Sequence, residues 1–152
     1  MSVRKVVSGG QTGVDRAALD AAAALGLERG GWCPRGRRAE DGAIATSYPL
    51  RETPLADYAQ RTEWNVRDSD GTLILVAREP LSGGTLLTRE LAIRLGRPVL
   101  VVELDGPPPT ENVRAWLADK ETLNVAGPRE SGCPGIWARA RAFLEALLGG
   151  SG

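Results

Sequence analysis

The stretch Val6-Val7-Ser8-Gly9-Gly10-Gln11-Thr12-Gly13-Val14-Asp15-Arg16, continuing into Ala17-Ala18-Leu19-Asp20-Ala21-Ala22-Ala23-Ala24-Leu25, decides how the chain is read. An apolar run stops at two glycines, turns over Gln11 and Thr12, and passes through a third glycine into an alanine-rich segment. Branched apolar residues favour a strand and alanine favours a helix, so the stretch predicts strand, tight turn and helix. Glycine lets a backbone approach a ligand closely, and the first N–H groups of a helix lack intrahelical partners. Those donors and the helix dipole favour an anion, most often a phosphate. Gly9, Gly10, Gln11, Thr12 and Gly13 are therefore expected to cradle one. A glycine turn also forms without any ligand, and that alternative stays open. Asp15 is ambiguous: a carboxylate in a first helical turn usually complements the dipole and would repel a bare phosphate.

The pattern repeats outward from this turn. Short β-branched runs at Lys5–Ser8, Arg29–Cys33, Thr72–Val76, Pro98–Glu103 and Leu123–Ala126 are the strand candidates. Three of them lack polar alternation, as parallel strands covered on both faces do. Helices are expected at Gly13–Leu25, ending at Gly26, and at Thr85–Leu95, ending at Gly96. Another should run from Thr110, as N-cap after three prolines, through Ala118. The last places Ile136, Trp137, Ala140, Phe143, Leu144, Leu147 and Leu148 on one stripe of 3.6-residue period. Alternating strands and helices imply βαβ units. The predicted fold is α/β: a single Rossmann-like domain over 1–148, with a doubly wound, mainly parallel five-stranded sheet and helices on both faces. Residues 149–152 read as a flexible tail.

Composition sets limits. The chain has 152 residues, 42% hydrophobic and 25% charged, with nineteen basic residues balancing nineteen acidic ones. That is ordinary for a soluble globular domain, and it provides no global field to recruit nucleic acid or an anionic membrane. Attraction for an anion must be local. The absence of an 18-residue apolar run or a signal core makes the cytoplasm the expected location. Two cysteines, Cys33 and Cys133, are too few for a disulfide framework, and a chain without histidine is a poor zinc ligand.

A second turn, Ser82-Gly83-Gly84-Thr85, follows the most strand-like run and again opens a helix, with Thr88 one turn on. Ligands of doubly wound sheets bind where strand order reverses. Placing the first strand beside Thr72–Val76 would make the two glycine turns opposite lips of one crevice. The segment Tyr58–Gly71, if helical, sets Arg61, Asn65 and Asp68 on one face, with Arg61 able to grip an anion and Asn65 to read a heterocycle edge. A solvated polar face is the competing reading. The long irregular segment Pro34–Thr53 is expected to be an ordered loop covering a site, anchored by Ile44, Tyr48 and Leu50. Its Arg35, Arg37 and Arg38 are candidate lid cations, Arg37 being the one taken as a ligand contact. Trp116 and Trp137 belong to the core, whereas Trp32 and Trp64 border the expected site and are candidates to stack a planar ring.

The spacing is neither G-x-G-x-x-G nor a P-loop, because the glycines fall at 9, 10 and 13 and no Gly-Lys-Ser/Thr follows. No nucleophile–base pair is visible. The words of the sequence do match a family. Gly9-Gly10-Gln11-Thr12-Gly13-Val14-Asp15-Arg16, Gly31-Trp32-Cys33-Pro34, Gly36-Arg37-Arg38-Ala39-Glu40-Asp41-Gly42 and Tyr48-Pro49-Leu50 resemble the molybdenum cofactor carrier proteins, as do Arg61-Thr62, Asn65-Val66, Asp68-Ser69-Asp70-Gly71 and Gly83-Gly84-Thr85-Leu86-Leu87-Thr88. The resemblance runs from about Val6 to Val102. It implies a Rossmann-like fold of the group that senses or cleaves nucleotide-derived ligands, related to the lysine-decarboxylase-like phosphoribohydrolases. It further implies a carrier that holds molybdenum cofactor, molybdate or a similar phosphate-bearing anion, and that forms homo-oligomers. A molybdoenzyme or cofactor-synthesis protein is then the expected partner. The site expected on both grounds comprises Gly9, Gly10, Gln11, Thr12, Gly13, Asp15, Arg37, Arg61, Asn65, Gly83, Gly84, Thr85 and Thr88.

Two alternatives come from the same group. A nucleoside-monophosphate N-glycosidase carries Pro-Gly-Gly-x-Gly-Thr-x-x-Glu. Aligning its Gly-Thr with Gly84-Thr85 puts Thr88 on the glutamate, and the register that restores Glu90 loses the Gly-Thr pair. A sensor of a nucleotide signal is the other.

Overall fold

The computed structural model describes residues 3–149. In chain order the elements are β1 (Lys5–Val7), α1 (Val14–Ala24), β2 (Glu28–Gly30), β3 (Trp32–Cys33), β4 (Arg38–Ala39), β5 (Gly42–Ala43), β6 (Arg51–Glu52), α2 (Tyr58–Arg67), β7 (Gly71–Val76), α3 (Gly83–Arg94), β8 (Val99–Glu103), α4 (Thr110–Leu117), β9 (Thr122–Ala126) and α5 (Ile136–Gly149). Five strands form one wholly parallel sheet in the order β2-β1-β9-β7-β8. The fold is the Rossmann-like α/β arrangement expected. Its centre differs: β1 does not adjoin β7, because β9 lies between them, with Val7 opposite Asn124 and Thr72 opposite Asn124 on its other side. The strand that comes last in sequence thus occupies the switch point. Residues 150–152, most of the expected tail, lie outside the described residues, and Gly149 closes α5.

Strand alternation divides the core. Leu73, Leu75, Leu123 and Val125 point to one face, where Ala17, Ala18, Ala21 and Ala22 of α1 pack with Ile136, Ala140 and Leu144 of α5. The small alanines let α1 lie close to α5 and to the sheet. The opposite face sends Ile74 and Val76 against Leu81 and Leu86. It also carries a polar pair, Asn124 Nδ2 donating to Thr72 Oγ1 at 3.2 Å. Trp116 and Trp137 pack, partly buried, on the main core.

Element ends follow sequence signals with some exceptions. α1 and α3 stop at Leu25 and Leu95, where Gly26 and Gly96 take φ of 73° and 68°. Pro109, not Thr110, holds the cap position of α4. The run Arg29–Cys33 splits at Gly31, whose φ of 124° turns the chain so that β3 leaves the main sheet and pairs with β6. Pro34–Thr53 is ordered, holding a β4–β5 hairpin and β6. Ile44 and Leu50 bury against Leu19 and Cys33, and Tyr48 donates its hydroxyl to Asp20 at 2.8 Å. Among the described residues no helix is long and apolar enough to cross a membrane.

Candidate functional site

Strands of a parallel sheet deliver their following loops to one edge, and here a cleft of about 580 Å³ opens over the carboxyl ends of β7 and β9. Its walls are the start of α3 (Ser82, Gly83, Gly84, Thr85, Thr88) and the first turns of α2 (Tyr58, Arg61, Thr62). Ala126, Gly127, Pro128 and Arg129 line it from the end of β9, joined by Gln11, Asp15 and Cys133. The volume lies within the range of small-molecule sites.

The two glycine turns have different surroundings. A Cβ built at Gly83 or Gly84 meets nothing within 4 Å, and Gly83 has φ of 54°. Ser82 makes no side-chain cap hydrogen bond and no acidic residue occupies the first turn of α3, whose residues line the cleft. The first turn is filled by the protein itself. A Cβ at Gly9 would lie 1.7 Å from Arg61 Nη1, one at Gly10 2.6 Å from Leu50 Cδ1, and one at Gly13 2.4 Å from the Pro128 carbonyl oxygen. Val14 N–H donates to that carbonyl at 3.2 Å, and Arg16 N–H donates to Gln11 O at 3.1 Å. Within the turn itself, Gly10 N–H donates to Ser8 Oγ at 3.4 Å, Gln11 N–H to Asp15 Oδ2 and Thr12 N–H to Gln11 Oε1, so these amides are engaged by the protein's own oxygens. Of the first turn, Gln11 and, from the helix, Asp15 line the main cleft; Gly9 borders only a small void of about 20 Å³ behind it. Thr12 is tied into loop structure, donating to Glu40 and accepting from Glu130 N–H at 3.1 Å.

Asp15 and Arg61 meet at the back of the cleft, Nη1 to Oδ2 at 2.9 Å, and Gln11 N–H donates to the same oxygen at 3.2 Å. Burial pushes the Asp15 carboxyl above its usual range, although Arg61 pulls the other way. Two buried donors here lack partners among the described residues: Gln11 Nε2 and Arg61 Nε. Gln11 is only 5% exposed, and its Oε1 accepts from Thr12 and Glu40 N–H groups at 3.1 and 2.8 Å. Buried donors without acceptors are uncommon in folded proteins, which makes this wall suited to a ligand oxygen.

Several expected contacts lie elsewhere. Arg37, at a φ of 54°, donates to the carbonyls of Ile44, Leu50, Ala45 and Tyr48 at 2.8–3.1 Å and so fastens the long loop. It does not line the cleft. That loop covers the first glycine turn rather than the cleft. Asn65 is also occupied, accepting from Trp32 N–H at 2.8 Å and donating to Trp32 O at 2.9 Å. Both ends of the amide already hold backbone, and Asn65 borders the small void rather than the main cleft. Trp32 and Trp64 pack edge to face on each other, centroids 4.8 Å apart, and neither lines the cleft. Tyr58 is the aromatic residue that does. Cys33 sits in the second core, its thiol pushed up by burial, whereas Cys133 borders the cleft. Gly127, Pro128 and Arg129 were not foreseen. Their signal was the Gly-Pro pair after a strand candidate, but it gains meaning only once β9 is known to be central.

Among the described residues no three His, Cys, Asp or Glu side chains gather to hold a metal ion. A parallel doubly wound sheet with an open polar cleft over its switch point defines the class: a Rossmann-like α/β protein. Within that class, the chain belongs to the circularly permutated YpsA SLOG family, whose model matches residues 6–148. A crystal structure from Syntrophus aciditrophicus SB, of a protein provisionally designated a molybdenum carrier, is similar at 41% identity with a TM-score of 0.89. The match covers 97% of this chain and 96% of that one. Comparison with curated proteins gives no match.

Proposed function

We propose that this protein is a carrier that binds molybdenum cofactor, or a similar phosphate-bearing anion, in the cleft between α2, α3 and the β9 loop. The observation that carries this reading is the start of α3. Gly83 and Gly84 leave open space where side chains would be, beside uncapped helix amides. Phosphate or molybdate oxygens would accept from those amides, with Thr85 at the same turn and Thr88, whose hydroxyl donates to Gly84 O at 2.8 Å, behind it. Gln11 Nε2 would serve a second ligand oxygen. The cargo is held through its oxygens rather than gripped by metal ligands. The expected crevice of two glycine lips becomes one glycine lip facing a proline–arginine loop. The resemblance of this chain to a protein designated a molybdenum carrier supports the choice of cargo.

A nucleotide N-glycosidase would want a carboxylate where α3 carries Thr88, while the carboxylate lining the cleft, Asp15, is bound to Arg61. We take the protein to be cytoplasmic and homo-oligomeric. Exposed Ile93 and Leu95 at the end of α3 favour contact with a second copy.

The test is titration of the purified protein with molybdenum cofactor, read by pterin fluorescence and metal content, alongside Gly84→Val. The wild-type protein should bind and the variant should not, with its fold unchanged. Normal binding by Gly84→Val would refute the site; absence of cofactor binding, or release of free base from nucleoside monophosphates, would refute the carrier reading.

A further inference from the structure

The cleft offers more positive charge than one anionic group requires. At one end are the α3 amides. At the other, three guanidinium groups surround one phenol ring: Arg61, Arg38 and Arg129 lie 5.2, 5.8 and 5.8 Å from the centroid of Tyr58. Arg61 is answered by Asp15. Arg38 donates to the Ala56 carbonyl at 3.5 Å. Among the described residues Arg129 makes no ion pair or side-chain hydrogen bond, although its charge helps hold the Glu40 carboxyl below the usual range. Tyr58, Arg61 and Arg129 all line the cleft.

Like charges gathered round one ring repel; the negative face of the ring, Asp15 on Arg61 and the more distant Glu40 on Arg129 offset that in part. The arrangement persists because the backbone under it is fixed. Pro128 O accepts from Val14 N–H, Glu130 N–H donates to Thr12 Oγ1, and the Glu130 carboxylate accepts from Gly135 and Trp137 N–H groups at 2.6 and 3.0 Å. Arg129 is therefore presented from an anchored loop with its donors unused. A planar guanidinium in that state grips an oxyanion with two parallel hydrogen bonds.

We propose that Arg129, backed by Tyr58 and Arg38, forms a second anion subsite, so that the cleft selects a ligand bearing two separated anionic groups. One group sits on the α3 amides and the other on Arg129. This rests on the anion-binding reading of the same cleft and adds a specificity that the first turn of α3 cannot supply.

The experiment is calorimetric titration with adenosine 5′-monophosphate and adenosine 3′,5′-bisphosphate as probes, on the wild-type protein, Arg129→Gln and Gly84→Val. The wild-type protein should bind the bisphosphate at least about tenfold more tightly. Arg129→Gln should erase that preference while leaving the monophosphate within about twofold. Gly84→Val should lose both. Equal wild-type affinities, or equal weakening of both probes by Arg129→Gln, would overturn the second subsite and leave the α3 site standing. Failure of both probes to bind the wild-type protein would overturn the anion cleft itself, and this inference with it.

Discussion

Alanine at Gly13 and alanine at Gly84 should change stability in opposite directions, although both glycines sit at strand-to-helix turns. Gly13 has φ of 80° and ψ of −130°, a region that side chains avoid, which costs about 1–3 kcal/mol to occupy. Its new Cβ would also sit 2.4 Å from Pro128 O and 2.8 Å from Glu130 N, both backbone atoms held by other bonds. Displacing that loop loses the Val14–Pro128 hydrogen bond, about another 1 kcal/mol. The sum is about 3 kcal/mol, a large share of the 5–15 kcal/mol that typically separates native from unfolded states, and on the order of 6–12 °C in Tm at this chain length. Gly84 lies in the first turn of α3, its φ outside the left-handed region and its Cβ position free of neighbours within 4 Å. Alanine there should stabilise by about 0.5 kcal/mol through a less flexible unfolded chain and better helix propensity. Urea unfolding followed by far-ultraviolet circular dichroism measures both, with unchanged slopes confirming that only stability moved. A Gly13→Ala variant within 1 kcal/mol of the parent, or a Gly84→Ala variant that is less stable than it, would refute the division between a packed turn and an open one.

Arg37→Ala should lose about 2–3 kcal/mol and make the segment between residues 37 and 50 newly sensitive to limited proteolysis, because four carbonyls lose their common donor. Asp15→Asn tests the buried carboxyl through pH. A carboxyl raised in the folded state stabilises below its unfolded value of 3.8 and loses that contribution as pH climbs through the raised value. The stability of the wild-type protein relative to Asp15→Asn should therefore fall as pH rises from about 4 in denaturation series; a relative rise would show that Arg61, not burial, dominates. A thiol reagent should label one cysteine of the native protein, Cys133, and both in urea, since Cys33 is fully buried; mass spectrometry of labelled peptides reads the outcome.

Local rules carried the elements. Val6-Val7 before glycine, alanines with Gly26 beyond them, and the 3.6-residue stripe from Ile136 to Leu148 each describe a segment by its own composition, and each formed as read. What the sequence could not show is which strands adjoin. Leu123–Ala126 reads as a strand wherever it pairs, and nothing within it says that its neighbours are β1 and β7. That pairing decides the site, because it carries Gly127-Pro128-Arg129 into the cleft and sets the Pro128 carbonyl on the start of α1. Residue chemistry was similarly underdetermined. Arg37 and Asn65 had the right groups for a ligand, but carbonyls and amides of the chain itself compete for the same donors and acceptors. Gly83, Gly84, Gln11, Asp15 and Arg61, named from helix starts and one helix face, do line the cleft, but the Asp15–Arg61 pair joins residues 46 apart and left no local mark.

The central position of β9 also imposes an order of events on the growing chain. β1 and β7 are synthesised well before residues 122–126, yet each finds a neighbour there, with Leu123 opposite both Val6 and Gly71. Until that strand emerges, β1 with β2 and β7 with β8 are two half-sheets, each with an open parallel edge lined by buried-type side chains. Completing the sheet is then a late, long-range insertion rather than an extension at the margin, and the half-made state is the one most exposed to self-association during synthesis.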